Sequence, residues 1–188
     1  DVVLAQDGSL VSSQESDSLT DSGSLSDNKW VSAVGDTLYL AQADEQGNVN
    51  GLLQMQLDGS NGAKKKEVLP FSQDSYSSAY FSVLGDGTVY AADADGFFRC
   101  DAGDTNWQKL LQGIDTGFSL SDQWCRDIVA LSDGSVYAWF GSESGDKIMI
   151  YRYDPDAVTE VTEELTLYTV EESFFLQQAA VQYHKQHP

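Results

Sequence analysis

Basic residues are scarce in this chain. Its 188 residues include only 10 Lys and Arg against 30 Asp and Glu, a formal net charge of -20. A negative field of this size repels phosphates and anionic lipids, so binding to nucleic acid or to a membrane surface is disfavoured. No apolar run is long enough to cross a bilayer. We therefore expect a protein that stays soluble outside a cell.

Histidine and cysteine are also scarce, with two of each. Both histidines, His184 and His187, lie at the extreme C-terminus, so a Ser-His-Asp or Cys-His arrangement lacks a base in the rest of the chain. No Cys or His stands at finger spacing from Cys100 or Cys125, which argues against a zinc site. We predict no metal, no cofactor and no catalytic residue. Carboxylate pairs for glycoside hydrolysis stay open as an enzyme alternative, because 30 acidic residues offer many pairs.

One short pattern occurs three times: an apolar residue, a turn, a small hydroxyl residue, an aliphatic residue and a tyrosine. The copies are Val34-Gly35-Asp36-Thr37-Leu38-Tyr39, Leu84-Gly85-Asp86-Gly87-Thr88-Val89-Tyr90 and Leu131-Ser132-Asp133-Gly134-Ser135-Val136-Tyr137. The period from Thr37 to Thr88 to Ser135 is typical of propeller blades with four strands each. Asp-Gly or Gly-Asp between β-rich runs is a hairpin signal, because these residues accept positive φ. The pattern predicts an all-β, propeller-like array of about three four-stranded blades.

Each unit divides into short predicted strands. In the second unit these are Tyr80–Leu84, Thr88–Ala92, Gly96–Cys100 and Trp107–Leu111. The first unit runs from Trp30 to Leu69, with Lys64-Lys65-Lys66 in a hairpin turn, and the third runs from about Trp124 to Thr162. We assign residues 1–28 to a partial blade hairpin and a Ser/Asp-rich linker, and residues 29–163 to the three blades. Residues 164–188 form a separate C-terminal segment.

These units resemble β-propeller repeats of the quinoprotein-like or kelch-like kind, in which a strand closes on an apolar residue and an aspartate, as in Leu57-Asp58, Cys100-Asp101 and Tyr153-Asp154. The chain departs from the named subfamilies, because no Trp-Asp dipeptide ends a blade and no Gly-Gly doublet opens one. Closed propellers have about four to eight blades. The chain is therefore cut from a longer protein, or two copies close a ring, or the array stays open.

The C-terminal segment has its own pattern. Leu165-Thr166-Leu167-Tyr168-Thr169-Val170 predicts a short strand, and 171–186 predicts an amphipathic helix with Phe175, Leu176 and Tyr183 in one stripe. This strand and helix resemble the opening of the family 1 solute-binding proteins of bacterial ABC importers, where a Leu-Thr-Leu-Tyr strand leads into a helix ending in Lys-x-His/Asn-Pro. The resemblance implies a bacterial cell-surface lipoprotein, which meets a membrane only through an anchor outside this chain. Because the chain begins at Asp1 without methionine, we expect that any signal peptide has been removed.

Aromatic residues are the candidate ligand contacts. Trp30, Tyr80 and Trp124 precede or begin the first strand of each unit, where propellers line the channel or its mouth. Exposed aromatics there suit stacking on sugar rings, and packing between blades is the alternative. Cys100 and Cys125 lie at strand ends in neighbouring units, so they form either a disulfide or two separate buried thiols.

The function that follows is a non-catalytic extracellular binding or accessory domain, which assists capture of a carbohydrate or peptide for an ABC importer. The first alternative is a protein–protein interaction scaffold, and the second is a propeller-type glycosidase. The expected partners are a small-molecule ligand (sugar or peptide) or a protein. Unpaired sheet edges and an apolar helix stripe also predict self-association, with a two-fold pair as the expected form.

Overall fold

The structure is a computed structural model. The structure describes residues 2–4, 10–13, 30–44, 48–57, 63–71, 78–118, 120, 122–152, 176, 179–180 and 182–183. The chain divides into two compact units, Asp1–Ser78 and Ala79–Pro188. None of the described residues belongs to a helix with the length and hydropathy of a membrane span.

The first unit contains two antiparallel sheets. Sheet 1 pairs β1 (Val2–Leu4) with β2 (Leu10–Ser13), which are the strands predicted for the partial hairpin. Sheet 2 has four strands in sequential order: β3 (Val31–Val34), β4 (Thr37–Ala43), β5 (Val49–Leu57) and β6 (Ala63–Pro70). Gly35, with φ of 56°, supplies the positive φ of the tight turn between β3 and β4.

The lysine run is not at a hairpin tip. Lys65 lies opposite Gln56 and Lys66 opposite Met55 within the β5–β6 ladder, so the predicted turn position is wrong. β5 continues to Leu57, and β6 pairs with it as far as Ala63, so residues 64–66 fall within the ladder. Pairing of the backbone overrides the low β-propensity of lysine.

The second unit contains the other two sheets. Sheet 3 has four strands, β7 (Tyr80–Val83), β8 (Val89–Asp93), β9 (Gly96–Cys100) and β10 (Gln108–Gln112). A single 3-10 turn follows at Gly113–Asp115. Sheet 4 has three described strands, β11 (Gln123–Ala130), β12 (Val136–Ser142) and β13 (Gly145–Tyr151). The fourth strand predicted for this unit, at 158–161, lies outside the described residues.

The repeated turn has a clear chemical basis. Asp86 Oδ1 accepts a hydrogen bond from the Thr88 amide at 2.9 Å, and Asp133 Oδ1 accepts one from the Ser135 amide at 2.9 Å. The glycine between each pair has positive φ, 92° at Gly87 and 84° at Gly134. The sequence Asp-Gly-Thr/Ser therefore closes the β7–β8 and β11–β12 hairpins in the same way. These hydrogen bonds also lower the pKa of both aspartates.

Sheets 3 and 4 pack face to face around one apolar core. The buried members of this core are Tyr90, Ala92, Phe97, Cys125, Ile128, Ala130, Val136, Ala138 and Phe140. Phe118 contributes a ring between the sheets, with its centroid 5.0 Å from those of Phe97 and Phe140. Two polar contacts also join the sheets: the Tyr80 hydroxyl donates to the Cys125 carbonyl at 2.6 Å, and the Ala130 amide donates to Ser82 Oγ at 2.9 Å.

The described part of the chain is thus built mostly from antiparallel β-strands, and the all-β class is confirmed. In the predicted C-terminal helix the structure describes only Leu176, Ala179, Ala180, Gln182 and Tyr183, which are helical and exposed. The rest of that helix, and the strand at 165–170, lie outside the described residues. The helix as a unit and the propeller arrangement stay predictions.

Candidate functional site

The three aromatic residues predicted to bind a ligand differ in their surroundings. Trp30 is half-buried in the first unit, where its carbonyl accepts a hydrogen bond from the Ala41 amide at 3.1 Å. Tyr80 begins β7 and is half-buried against the core between sheets 3 and 4, with its ring centroid 6.4 Å from that of Phe118. Because its hydroxyl is also bound to a backbone carbonyl, Tyr80 follows the packing alternative.

Trp124 is the member of this set that lies on an open surface. It is the second residue of β11, and its exposed fraction is 48%. Its neighbours Gln123 and Cys125 are both buried, because successive side chains of a strand point to opposite faces. Trp124 and Tyr80 therefore do not share one surface: Trp124 lies on the face of sheet 4 that points away from sheet 3, which we call the outer face.

A second tryptophan on the outer face was not predicted. Trp139, in β12, has an exposed fraction of 45% and lies between Ala138 and Phe140, which face the core. Arg126 lies near both indole rings, with its Cζ 5.7 Å from the Trp124 ring centroid and 5.4 Å from that of Trp139. These distances are within the range of cation–π attraction. We call Trp124, Arg126 and Trp139 the tryptophan–arginine cluster.

Two neighbours support this cluster. Gly141 lies opposite Trp124, and a Cβ added there would approach Trp124 Nε1 to 2.7 Å and Arg126 Nε to 2.8 Å. The absence of a side chain at Gly141 is therefore what lets the indole and the guanidinium lie close to the backbone of β12. Asp146, on β13, accepts a hydrogen bond from Arg126 Nη2 at 3.4 Å. This ion pair is exposed and contributes little to stability.

A β-bulge sets which residues of β11 face outward. The register with β12 shifts between Cys125 and Asp127, so Arg126 is the extra residue. Arg126 and Asp127 are consequently exposed in succession, and beyond them Ile128 returns to the core. Without the bulge, strict alternation along the chain would place Ile128 on the same side as Trp124. The bulge therefore lets β11 keep both Cys125 and Ile128 in the core while Trp124 and Val129 lie on the outer face.

Aliphatic side chains continue the outer face beyond the cluster. Val129 lies opposite Tyr137, which in turn lies opposite Ile150, and Trp139 lies opposite Ile148. The exposed fractions are 51% for Val129, 67% for Ile148 and 50% for Ile150, whereas Tyr137 is half-buried. Together with Trp124 and Trp139, the three aliphatic residues expose about 500 Å² of mainly apolar surface, which is as large as the largest patch of a typical monomer.

The two cysteines do not form the disulfide that was one of the two alternatives for them. Both are buried free thiols, and their sulfurs lie 3.5 Å from different carbonyl oxygens, those of Asp104 and Asp127. Cys125 faces the core between sheets 3 and 4. Cys100 lies opposite Val89 in sheet 3. Tyr90 and Ala92 contact the core between sheets 3 and 4, and Cys100 and Val89 lie on the other face of sheet 3. The two thiols therefore point away from each other, and the alternative of two separate buried thiols is correct.

Burial also makes both thiols unreactive. It raises the pKa of Cys100, and it raises the pKa of Cys125 to about 12. The thiolate, which is the reactive form, is therefore scarce at neutral pH. Neither cysteine is a candidate nucleophile.

Asp93 is the one buried carboxylate with a strongly raised pKa among the described residues. Its exposed fraction is 1%, and Oδ1 accepts hydrogen bonds from the Asp95 and Gly96 amides at 2.8 and 3.2 Å. Burial raises the pKa of this carboxyl to about 6. Its role is to close the β8–β9 turn, and no group of three or more His, Cys, Asp or Glu able to hold a metal ion occurs in the described part of the chain.

Comparison with known proteins gives no independent support for a function. No protein-family model matches this chain. No curated protein is significantly similar to it in sequence. The case for a functional site therefore depends on the outer face of sheet 4.

Proposed function

We propose that this chain is a non-catalytic binding module and that the outer face of sheet 4 is its contact surface for another protein. In this proposal the sheets are successive blades of a propeller-like array. The observation that carries the proposal is that large apolar side chains are exposed on adjacent strands of one sheet face. Trp139, Ile148 and Ile150 are 45%, 67% and 50% exposed on adjacent strands.

The chemistry of this face favours a protein over a small polar ligand. Sites for small molecules are concave and carry a few polar groups that fix the ligand's orientation. The outer face is a sheet surface in which Val129, Tyr137, Ile148 and Ile150 form a continuous apolar area. Exposed apolar surface of this kind, bordered by charged groups such as Arg126 and Asp146, is typical of protein interaction sites.

Carbohydrate is the second candidate ligand, and the tryptophan–arginine cluster favours it. Two half-exposed indoles on adjacent strands offer flat surfaces for the apolar faces of sugar rings. The Arg126–Asp146 pair, with its 3.4 Å contact, offers a donor and an acceptor for neighbouring hydroxyl groups. Capture of a carbohydrate or peptide for a bacterial ABC importer, at the extracellular surface, is supported by the sequence resemblance alone.

The proposed contact surface is tested with an uncharged fluorescent apolar dye, Nile red, which the net charge of -20 does not repel, at a low protein concentration of about 0.5 μM, where weak self-association is negligible. We expect the wild-type chain to enhance dye fluorescence and the double variant Ile148→Asp, Ile150→Asp to lose most of that enhancement. Val31→Asp is the matched control, because Val31 is also an exposed strand valine (56%) but lies in sheet 2. Equal dye binding by all three proteins would refute the proposal.

A further inference from the structure

The outer face of sheet 4 repeats a face that is covered elsewhere in the same unit. In sheet 3, Tyr90 lies opposite Ser82, and Ala92 lies opposite Phe97. In sheet 4, Tyr137 lies opposite Val129, and Trp139 lies opposite Ile148. When Tyr137 is aligned with Tyr90, the other positions correspond as well. Val129 takes the place of Ser82, Trp139 that of Ala92, and Ile148 that of Phe97. The sheet 3 face is covered by sheet 4, as the buried core between them shows.

The difference in burial between the two tyrosines follows from this equivalence. Tyr90 is buried (3% exposed) because sheet 4 packs on its face. Tyr137, at the equivalent position on the outer face, is only half-buried, and its cross-strand neighbours Val129 and Ile150 are exposed. The inner face of sheet 4, which covers Tyr90, is itself buried and cannot cover a second copy. The equivalence therefore predicts the same type of cover for the outer face, a twisted β-sheet with alternating apolar side chains, and the outer face of a second copy is such a surface.

We infer that a second copy of this chain covers the outer face, in a two-fold pair. This inference rests on the binding role proposed above for that face. The two-fold axis runs parallel to β12, between the two outer faces. β11 of one copy then lies over β13 of the other, and residues of the same cross-strand row face each other. Val129 then meets Ile150 of the partner subunit, and the Trp139 side chains of the two copies meet near the axis.

Charge supports the same arrangement. Arg126 is on β11 and Asp146 is on β13, two strands apart in one sheet. The two-fold axis brings Asp146 of the partner subunit above the end of β11 that carries Arg126. Each copy therefore contributes one Arg126–Asp146 attraction across the interface, and the arrangement is self-complementary, as a closed pair requires.

The available area is sufficient for a weak dimer. An apolar area of about 500 Å² on each copy gives about 1,000 Å² in total, at the lower limit for a specific interface. The net charge of -20 on each copy opposes association. Salt screens that repulsion, so we expect a dissociation constant of about 10 μM in low salt and tighter pairing in about 0.5 M NaCl.

The first test is sedimentation equilibrium of the full chain in low and high salt. We expect a monomer–dimer equilibrium, and Ile148→Asp should weaken it by about 100-fold because the substitution enters a two-fold interface twice. Val31→Asp should leave it unchanged. A wild-type chain that stays monomeric at about 100 μM in both salt conditions would overturn the inference.

The second test mixes two charge variants. Arg126→Asp alone places Asp opposite the partner's Asp146, and Asp146→Arg alone places Arg opposite the partner's Arg126. Each variant should therefore dimerise more weakly than wild type, whereas an equimolar mixture should pair at least about tenfold more tightly than either one, because opposite charges meet at both contacts. An ion pair confined to one chain predicts no such rescue. A mixture that associates no better than its components would overturn the arrangement.

The dye experiment separates this inference from the proposed function. Dye binding that depends on Ile148 and Ile150, in a chain that never dimerises, would keep the outer face as a binding surface and remove the second copy as its partner. Absence of dye binding at low concentration would defeat the proposed function itself, whatever the oligomeric state. Pairing through this face also predicts that dye bound per chain falls as protein concentration rises through the dissociation constant.

Discussion

Replacement of Asp93 by Asn is expected to stabilise the fold at neutral pH. The Asp93 carboxylate is almost fully buried, and Oδ2 has no hydrogen-bond partner in the described part of the chain. Burial is the main cause that raises its pKa to about 6 from 3.8, and the nearby charge of Asp95 adds to it. Asparagine keeps an oxygen for the two backbone amides of the turn and removes the charge.

The sign and size of the effect follow from the two pKa values. Because the pKa is raised in the folded state, the contribution of the protonated group to stability is complete below about pH 3.8 and is lost as the pH rises through about 6. A rise of about 2 pKa units corresponds to about 3 kcal/mol of unfolding free energy. Asp93→Asn should therefore match the wild type near pH 3.5 and be more stable by up to about 3 kcal/mol at pH 8.

The assay is urea unfolding followed by tryptophan fluorescence at a series of pH values between 3.5 and 8. Asp86→Asn is the matched control, because hydrogen bonds from Thr88 lower the pKa of Asp86. Because the pKa of Asp86 is lowered in the folded state, its carboxylate stabilises the fold at pH values above the pKa of the unfolded chain, and this stabilisation is lost in acid. Asp86→Asn should therefore be less stable than wild type at pH 8 and equal to it in acid. A stability difference between Asp93→Asn and wild type that does not change with pH would refute the reasoning.

Three further predictions concern the packing and chemistry of the second unit. Gly141→Ala should displace the indole of Trp124 and the side chain of Arg126. We expect a loss of about 1–3 kcal/mol of unfolding free energy and a shift of the tryptophan emission. An unchanged spectrum and an unchanged stability would contradict the close approach. Cys100 and Cys125 should fail to react with a thiol reagent at pH 8 in the native protein and should give two equivalents in denaturant, because both are buried and their pKa values are raised. If the tryptophan–arginine cluster binds carbohydrate, neutral soluble polysaccharides should perturb the tryptophan fluorescence of the wild type. Trp139→Ala should weaken that binding by about tenfold or more, because it removes one of the two large apolar ring surfaces of the cluster. An unaffected titration would remove this candidate.

The hairpins were predictable from sequence because their chemistry is local. In sheet 3 each strand lies within two residues of its predicted bounds. The reason is that Asp86 and Gly87 specify the turn through a side-chain hydrogen bond and a positive φ, both fixed within the turn itself. The lysine run at 64–66 was misplaced because strand length depends on the partner strand, and that dependence is not visible in composition.

The binding face was not predictable, because it depends on register. The bulge at Arg126 changes the direction of every side chain that follows it in β11, and nothing in the sequence marks the extra residue. Trp139 follows the apolar residue Ala138 and precedes Phe140, so it reads as part of a buried run. The alternation of side chains along β12 indicates that Tyr137 and Trp139 share one face of the sheet. Only the packing of sheet 4 on sheet 3 shows that this face is the open one. The sequence left two alternatives open for Cys100 and Cys125 for the same reason, since the direction of each thiol is set by its position along the strand.

The sequential strand order has a consequence for folding kinetics. Every described sheet pairs strands that follow one another in the chain, so each ladder closes only short loops. Antiparallel hairpins of this kind form in about 1–10 μs. Docking of sheet 3 on sheet 4 is different, because it joins residues that are far apart in the sequence. The Tyr80 hydroxyl, for example, donates to the carbonyl of Cys125, 45 positions away. Refolding of the second unit should therefore be limited by docking of preformed hairpins, and substitutions in the repeated Asp-Gly turns should slow an early phase that substitutions between the sheets leave unchanged.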